Sequence, residues 1–243
     1  LSVAFHRYRD RLRVRISRQE RFRADASHQL KTPLAVLKTQ ASVALASGDP
    51  RLWRESLAAM SGTLNSTILL TERLLQLATI KRKEQGEQAF PPVDLQEIVH
   101  HSCFSRLQQA RSKAIDLGYE GETSTVTIAG DGVLLSELCA NLLDNAIRYT
   151  PQGGIVTVSL HRDGEAVLLD VEDSGPGIDD AQIQQALMPF HRLENVGDNP
   201  GAGLGLALVS DIARLHRSHP QLLRSETLGG LKVRLRFLRA RSE

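Results

Sequence analysis

The segment NLLDNAIRYT, residues 141–150, combines side chains that suit a magnesium ion, a phosphate and a purine ring. Asn141 and Asn145 stand four residues apart, so a helix would place both amides on one face. Arg148 and Tyr149 follow within a turn. Amide oxygens suit Mg²⁺, a guanidinium suits phosphate, and an aromatic ring suits the face of a purine. The competing interpretation is an asparagine-rich surface helix that binds nothing.

Two glycine-containing segments could complete such a site. DSGPGI, residues 173–178, follows an alternating segment that is typical of a strand. Asp173 could accept a hydrogen bond from a base amino group, while Gly175 and Gly177 would let the backbone approach a flat ligand. GAGLGLA, residues 201–207, opens a predicted helix whose free amide protons and positive dipole end suit phosphate. It is not a dinucleotide-binding fingerprint, because a loop precedes it instead of the first strand of a parallel unit.

A single histidine, His28, lies in the segment SHQLKTPL, residues 27–34. The apolar residues around it recur at intervals of three and four, which predicts a helix whose buried face lies opposite His28. Thr32, one turn later, shares the outward side. Pro33 would remove the amide bond to the Gln29 carbonyl at a cost of about 3 kcal/mol, so the distortion is expected to serve the function of this turn. The competing interpretation is an ordinary surface histidine.

Two long amphipathic helices are predicted to carry this histidine. The first should end at SGDP, where Gly48 suits a C-terminal cap, Asp49 the N-cap of the second helix, and Pro50 its first turn. The buried side of the second helix comprises Trp53, Leu57, Met60, Leu64, Ile68, Thr71, Leu74, Leu75 and Ala78. A lone hairpin leaves much of both apolar faces in water, so pairing with a second copy into a four-helix bundle is expected.

A charged and then Gly- and Pro-containing segment, residues 81–94, predicts a domain boundary. The chain is expected to comprise a basic linker over residues 1–20, an all-α helical hairpin over 21–85 and a second domain over 93–240. In the second domain helical and strand periodicities alternate, which predicts an α+β sandwich. Its expected elements are a helix capped by Asp94 with Glu97 and ending near Ser112, a strand TVTIAG, a helix from Asp131 to Tyr149, two strands joined at Asp163-Gly164, and a final strand pair around Gly229-Gly230.

The charge of the chain is unevenly distributed. Up to Arg23 there are eight arginines against Asp10 and Glu20, whereas the remaining residues carry a net negative charge. A nucleic-acid-binding protein would carry its basic patch on the folded body, so no nucleic acid is expected as a partner. The apolar residues 1–5 before the basic segment are typical of the cytoplasmic end of a membrane helix, which predicts an anchor upstream of Leu1. A solvated, arginine-rich helix start is the competing interpretation.

The motifs, in this order, resemble those of bacterial two-component sensor histidine kinases. FRADASHQLKTPL resembles the histidine box, NLLDNAIRYT the asparagine box, DSGPGI the first glycine box, PFHRLE the phenylalanine box and GAGLGLA the second glycine box. The similarity runs from about Arg21 to Phe237. It implies a dimerisation and phosphoacceptor hairpin followed by an ATP-binding domain of the Bergerat type, which Hsp90-like chaperones and gyrase-type ATPases share.

The resemblance also implies roles for individual residues. His28 would be the phosphoacceptor, with Gln29 beside it, and Thr32 would serve dephosphorylation of a regulator. Asp173 would read adenine, and residues 188–201 would form a lid over the nucleotide. The implied ligands of ATP are Asn141, Asn145, Arg148, Tyr149, Asp173, Gly175, Gly177, Arg192, Gly201, Gly203, Leu204, Gly205 and Leu206, of which Asn141 and Asn145 would also serve Mg²⁺.

Two positions depart from the family pattern. Gln29 stands where the family usually has Glu or Asp as a base. A glutamine cannot take a proton, but its carbonyl oxygen can accept from one ring N–H and leave the lone pair of the other nitrogen facing the γ-phosphate. Because free imidazole titrates near 6.5 and is largely neutral at cytoplasmic pH, an acidic base is helpful and not obligatory. The segment LHRSHPQ, residues 215–221, also lacks the Gly pair common after its first histidine.

The sequence therefore predicts the kinase region of a homodimeric sensor histidine kinase on the cytoplasmic side of the bacterial inner membrane. ATP would phosphorylate His28, and an aspartate on the receiver domain of a response regulator would then take the phosphoryl group. Cys103 and Cys139 lack the spacing of a disulfide or zinc pair, which favours a reducing compartment. One competing interpretation is a chaperone-like ATPase, which the histidine-bearing hairpin disfavours. Another is a non-catalytic dimeric scaffold, which the intact nucleotide motifs disfavour.

Overall fold

The structure, a computed structural model, describes residues 2–83, 90–121, 125–191 and 203–240. The chain forms two compact units that divide between Gln76 and Leu77. The first unit is helical and the second is an α+β sandwich. The division falls inside a helix, so the last turns of that helix belong to the second unit, before the segment 81–94 where the sequence predicts the boundary.

Helix α1 (Ser2–Ala46) and helix α2 (Pro50–Lys83) form the predicted hairpin. Asp49 caps α2 as expected, because its Oδ1 accepts a hydrogen bond of 2.8 Å from the amide of Arg51. Only Ser47, Gly48 and Asp49 separate the two helices. Such a short connection brings the two helices together as a hairpin.

Helix α1 is longer than the sequence predicts, because it also includes the basic segment that precedes Arg21. Pro33 lies inside α1, and the helix continues on both sides of it. Thr32 Oγ1 donates to the His28 carbonyl at 3.3 Å, so a side chain reinforces the turn that carries the histidine. No helix among the described residues is long and apolar enough to cross a membrane.

The second unit packs helices against a five-stranded sheet. The strands are β2 (Asp116–Gly121), β4 (Ile155–Asp163), β5 (Ala166–Asp173), β6 (Gln221–Arg224) and β7 (Leu231–Leu238), and a separate two-stranded sheet pairs β1 (Pro92–Asp94) with β3 (Thr127–Ala129). The helices are α3 (Leu95–Ser112), α4 (Gly132–Tyr149), the single-turn α5 (Ile183–Ala186) and α6 (Gly205–Leu215). Helix α4 contacts α3, α6 and strand β5, so it occupies the middle of the helical layer.

The five-stranded sheet has the order β2-β4-β5-β7-β6. Strands β2 and β4 pair in parallel, and all other neighbours pair antiparallel. On β5, Val167, Leu169 and Val171 alternate with residues of the other face and are buried. Asp173 continues this series at the end of the strand, so the strand period directs it towards the helical layer.

Most elements of the second unit agree with the sequence prediction. Asp94 caps α3 by accepting from the amides of Gln96 and Glu97 through Oδ1, at 2.9 and 3.3 Å. The β4–β5 turn consists of the two residues after Asp163, one position later than predicted, and Gly164 has a φ of +58° there. Strands β1 and β2 were not predicted, because β2 contains two glycines and two acidic residues, which have low strand propensity.

Candidate active site

The middle of α4 and the start of α6 meet through the two asparagines. Asn141 is buried, and its Nδ2 donates to the Glu137 carbonyl at 2.8 Å, which leaves Oδ1 available to a ligand. Gly205 is the first residue of α6, and a Cβ placed on it would lie 3.0 Å from Asn145 Nδ2 and 3.5 Å from Asn141 Oδ1. The structure therefore brings the asparagine segment and the second glycine segment together, as the sequence predicts for one shared site.

The start of α6 offers free backbone donors beside these amides. Leu204 occupies the N-cap position, and among the described residues no side chain caps the helix. The first amide protons of a helix lack partners inside it, and the dipole adds positive potential there. The Leu204 side chain is fully buried and Leu206 is half-buried, so their contribution to an anion site would come from the backbone.

Asp173 is the buried carboxylate of the site. Its Oδ1 accepts from the Gly175 amide at 2.8 Å and from the Leu231 amide at 3.1 Å. Burial raises the pKa of Asp173 above its usual value, and the two backbone donors oppose that rise. Because both of these bonds go to Oδ1, the described residues leave Oδ2 for a donor of the ligand, such as an amino group.

Gly230 is a site residue that the sequence analysis did not identify. A Cβ on Gly230 would lie 2.3 Å from the Asp173 carbonyl oxygen, 2.5 Å from its Oδ1 and 2.6 Å from the Gly175 nitrogen. No side chain can occupy that space without displacing backbone. The Gly229-Gly230 pair was visible in the sequence, but it was interpreted only as the turn of the last strand pair.

The first glycine segment packs closely on its neighbours. A Cβ on Gly175 would lie 2.9 Å from the Tyr149 carbonyl oxygen, so the loop after β5 lies against the end of α4. Gly177 has a φ of +74°, a conformation that glycine adopts most readily. Arg148 and Tyr149 are both half-buried at this end of α4. The predicted adenine reader and the predicted arginine and tyrosine therefore lie around one corner of the sandwich.

A hydrogen bond joins Phe190, near the start of the predicted lid, to Gly203, two residues after its predicted end. The Phe190 amide donates to the Gly203 carbonyl at 2.9 Å. Gly203 has a φ of +65°, and a Cβ on it would lie 2.7 Å from the His191 carbonyl oxygen. Arg192 and Gly201, which the sequence analysis assigns to nucleotide binding, lie outside the described residues.

The segment LHRSHPQ, residues 215–221, forms a turn after α6 although it lacks the Gly pair of the family pattern. The first histidine of LHRSHPQ, His216, is buried, with Nδ1 at 2.8 Å from the Ile212 carbonyl oxygen, and its Nε2 accepts from the Asp131 amide at 2.9 Å. Burial lowers the pKa of His216, which favours the neutral ring that this pairing requires. Arg217 takes a φ of 56°, a conformation that a glycine adopts at less cost.

His28, Gln29 and Thr32 lie in the first unit, and all three are exposed. The outward position of His28 agrees with the helical periodicity of the sequence. The Thr32 hydroxyl already donates to the His28 carbonyl, so its oxygen lone pairs remain for an incoming donor. An exposed imidazole on a helix is accessible to a donor carried by another domain.

Two family models match the chain, one over the helical hairpin and one over the sandwich. The His Kinase A (phospho-acceptor) domain matches residues 18–83. The family described as histidine kinase-, DNA gyrase B-, and HSP90-like ATPase matches residues 130–241. Both the phosphoacceptor segment with His28 and the segments with Asn141, Asp173 and Gly205 lie within these matches.

Curated relatives cover most of the chain. Sensor protein kinase PmrB of Pseudomonas aeruginosa is 35% identical over 207 residues, which are 85% of this chain and 43% of that protein. Sensor protein QseC of Salmonella typhi is 34% identical over 89% of this chain and 47% of its own length. Sensor protein CutS of Streptomyces coelicolor is 32% identical over 97% and 56%. The chain thus spans about half the length of the curated relatives it matches.

Solved structures confirm the fold. A mycobacterial sensor histidine kinase, MprB, aligns with a TM-score of 0.55 at 27% identity and covers 63% of this chain and 99% of that one. The histidine kinase AdeS of Acinetobacter baumannii aligns with a TM-score of 0.64 over 87% of this chain and 97% of that one. Its 20% identity supports the fold alone. The predicted order of a helical hairpin followed by an ATPase-type sandwich is confirmed.

Proposed function

The chain belongs to the sensor histidine kinases, and from this membership we propose that it transfers the γ-phosphoryl group of ATP to a ring nitrogen of His28. The observation that carries the proposal is the approach of Gly205 to both Asn141 and Asn145, because it joins two separate sequence motifs into one polar site. An exposed histidine in the phosphoacceptor segment supplies the nucleophile. The phosphoryl group then passes to an aspartate of a response regulator.

Each part of the nucleotide has a complementary group in the proposed site. Asp173 Oδ2 accepts from the adenine amino group, and the glycines beside it admit the ring. The amide protons at the start of α6 bind the phosphates, which the helix dipole favours. Arg148 adds a guanidinium near the end of α4. Phosphoryl transfer requires mainly positioning and charge neutralisation, so these groups need no covalent role.

The amide groups of the site also fit a magnesium ion. Asn141 uses its Nδ2 to donate to the Glu137 carbonyl, so its Oδ1 has no hydrogen-bond partner among the described residues. Asn145 lies one turn later on the same helix. Oxygen donors of this kind are the ligands that Mg²⁺ takes together with phosphate and water. Mg²⁺ would supply charge neutralisation on the phosphates when bound. The protein's part is to hold the two amide oxygens on one helix face.

We propose different roles for Gln29 and Thr32, the two polar residues near His28. Gln29 accepts from one ring N–H of His28 through its side-chain oxygen, so that the lone pair of the other nitrogen faces the phosphate. As that nitrogen bonds to phosphorus and the bond to the bridging oxygen breaks, ADP leaves with the electron pair. Thr32 positions a water for the loss of phosphate from the docked regulator.

The homodimer is supported by the apolar face of the hairpin. In the single chain many large apolar side chains of α1 and α2 are exposed: Leu34, Val36, Val43, Leu45, Leu52, Trp53, Leu57, Leu64, Ile68, Leu69 and Leu75. Apolar area of this extent is normally covered in a stable protein. A second copy of the hairpin would cover it as a four-helix bundle.

We also propose that a membrane anchor precedes Leu1 and places this region on the cytoplasmic side of the bacterial inner membrane.

The proposed reaction is tested by the chemistry of the labelled product. The chain is incubated with Mg²⁺ and ATP labelled at the γ-phosphate, and the protein-bound label is then exposed to acid and to alkali. Phosphohistidine is expected to lose its label in acid and to keep it in alkali. Release of labelled inorganic phosphate without any labelled protein would instead indicate an ATPase that transfers to water, and would overturn the proposal.

Replacing Asn145 with alanine is expected to weaken magnesium-dependent ATP binding about tenfold, because a site with few protein oxygens loses one of them. ATP affinity in the presence of a chelator should change less. Calorimetric titration with and without Mg²⁺ measures both values. Asn65→Ala, which removes an exposed amide from α2, serves as the control and should bind like the parent. Equal magnesium dependence in Asn145→Ala and the parent would count against this assignment.

Replacing Gln29 with leucine is expected to slow labelling by about tenfold, the effect of one orienting hydrogen bond of about 1.4 kcal/mol. Gln29→Glu should label at least as fast as the parent, because a carboxylate can both orient the ring and accept its proton. Initial rates at saturating ATP compare the three proteins. A leucine variant that labels like the parent would show that Gln29 is only a tolerated surface residue.

A further inference from the structure

Lys113 caps the helix that carries the asparagines. It occupies the C-cap position directly after α3. Its Nζ lies 2.8 Å from the Ile147 carbonyl oxygen, 2.9 Å from that of Arg148 and 2.8 Å from that of Thr150. The last carbonyls of a helix lack partners within it, and a cation there also complements the dipole. An ammonium group has three protons, so every donor of Lys113 is used on the end of α4.

The end of α4 that Lys113 holds is also the part that contacts the adenine side of the site. The Arg148 carbonyl accepts one of the three hydrogen bonds from the ammonium group, and Tyr149 lies between Arg148 and Thr150, whose carbonyls both bind it. The Tyr149 carbonyl oxygen faces Gly175 so closely that a Cβ there would lie 2.9 Å from it. Gly175 in turn donates its amide to Asp173 Oδ1 at 2.8 Å. Lys113 is thus three contacts away from the carboxylate that would read the base.

The backbone around Lys113 fixes the chain beyond α4 as well. The Gly153 amide donates to the Lys113 carbonyl at 3.1 Å, and the Asp116 amide donates to the Gly154 carbonyl at 2.9 Å. The turn that leaves α4 is therefore tied by main-chain bonds to Lys113 itself and to Asp116, three residues after it. Movement of the ammonium group away from the carbonyls would free the last turn of α4 but leave these bonds in place.

We propose that Lys113 is a positioning residue for nucleotide recognition, which holds the last turn of α4 so that Tyr149, Gly175 and Asp173 keep the geometry that selects adenine. The inference rests on the proposed function of the site. Lys113 itself touches no nucleotide, because its three protons are directed at the protein. The phosphate end of the site, at Gly205 of α6 and Asn145 of α4, is not bound by the Lys113 ammonium group.

The alternative role of Lys113 is a cap that stabilises the domain and nothing more. Arg106 provides a matched control for that role, because its Nε donates to Asp144 Oδ1 at 3.1 Å. This bond ties the same two helices about two turns earlier on α3 and about one turn earlier on α4. Lys113→Met and Arg106→Met each remove one cation between α3 and α4. A purely stabilising role predicts the same behaviour of both variants in nucleotide binding once they are folded.

The experiment compares three ligands, ATP, GTP and tripolyphosphate, by titration of the chain and its variants, with circular dichroism to confirm folding. Lys113→Met is expected to bind ATP about tenfold more weakly and to discriminate less between ATP and GTP. Its tripolyphosphate affinity should fall by much less than its ATP affinity, because Arg148 is the one proposed phosphate-binding group in the turn that Lys113 holds. Lys113→Arg, which keeps a cation with several donors, should recover most of the ATP affinity. Arg106→Met should keep the parental ATP-to-GTP ratio.

Two outcomes would overturn the inference. One is a folded Lys113→Met that binds all three ligands like the parent, and the other is a loss of affinity shared equally by ATP, GTP and tripolyphosphate. If Lys113→Met does not fold, Lys113→Gln is measured in its place and is judged by the same ratios. A parent chain that binds no ATP would remove the proposed function and this inference together, which separates that failure from the failure of Lys113 alone.

Discussion

His28→Ala is expected to abolish the incorporation of labelled phosphate, with at least a 100-fold loss, while ATP affinity stays within about twofold of the parent. Alanine has no nucleophilic nitrogen, so no phosphoryl acceptor remains at this position. ATP binding should be unaffected because the proposed nucleotide-binding residues belong to the second compact unit and His28 to the first. Labelling with γ-labelled ATP and an independent ATP titration measure the two quantities on the same preparation.

His101 supplies the control for this experiment. It is also an exposed histidine on a helix, but it lies on α3 of the second unit, outside the phosphoacceptor match. His101→Ala should label at the parental rate. Label that persists in His28→Ala, or that disappears in His101→Ala, would contradict the assignment of His28 as the acceptor.

Gly230→Ala should reduce ATP affinity by about 100-fold or more, although it adds a single methyl group. The new Cβ would lie 2.3 to 2.6 Å from three atoms of Asp173 and Gly175, two of them backbone, and real Cβ atoms do not approach so closely. The loop must shift, and Asp173 then loses the amide donors that orient its carboxylate. Titration with ATP, together with the thermal unfolding midpoint, shows whether binding is lost in a folded protein.

Gly132→Ala is the matched control, since a Cβ there would meet only ordinary contacts at 3.8 Å or more, in the first turn of α4. It should bind ATP like the parent. Asp173→Asn tests the same corner without added bulk, because the amide oxygen can still accept from the backbone while an NH₂ group replaces the second oxygen. If both Gly230→Ala and Asp173→Asn bind ATP normally, the adenine assignment is wrong.

Local patterns predicted the placement of those residues of the candidate site that depends on a single element. The four-residue spacing of Asn141 and Asn145 determines which side of α4 they share, whatever the rest of the chain does. Asp173 ends an alternating strand, so its buried orientation follows from the period of two. Caps such as Asp49 and Asp94 bind amides two or three residues away. In each case the information lies within a few residues of the chain.

The contacts that could not be predicted join distant parts of the chain. The bond from the Leu231 amide to Asp173 spans 58 residues, and it exists because β7 pairs with β5. Nothing in the local sequence specifies which strands are neighbours in the sheet. Lys113 was missed for the same reason, since its three acceptors lie 34 to 37 residues away. Neither Leu231 nor Lys113 stands in a local sequence that indicates its partner, and only the arrangement of the elements shows what each of them binds.

The position of β7 also governs when the nucleotide domain can form during synthesis. Among the described residues β7 is the last strand, yet it lies between β5 and β6 and buries Leu235 and Phe237 in the core. Before it emerges from the ribosome, β5 presents an open edge that can pair with another chain. Because domains fold as units, this one remains incomplete until its final strand is made. A message cut short after α6 would therefore yield an aggregating fragment instead of a weakened kinase.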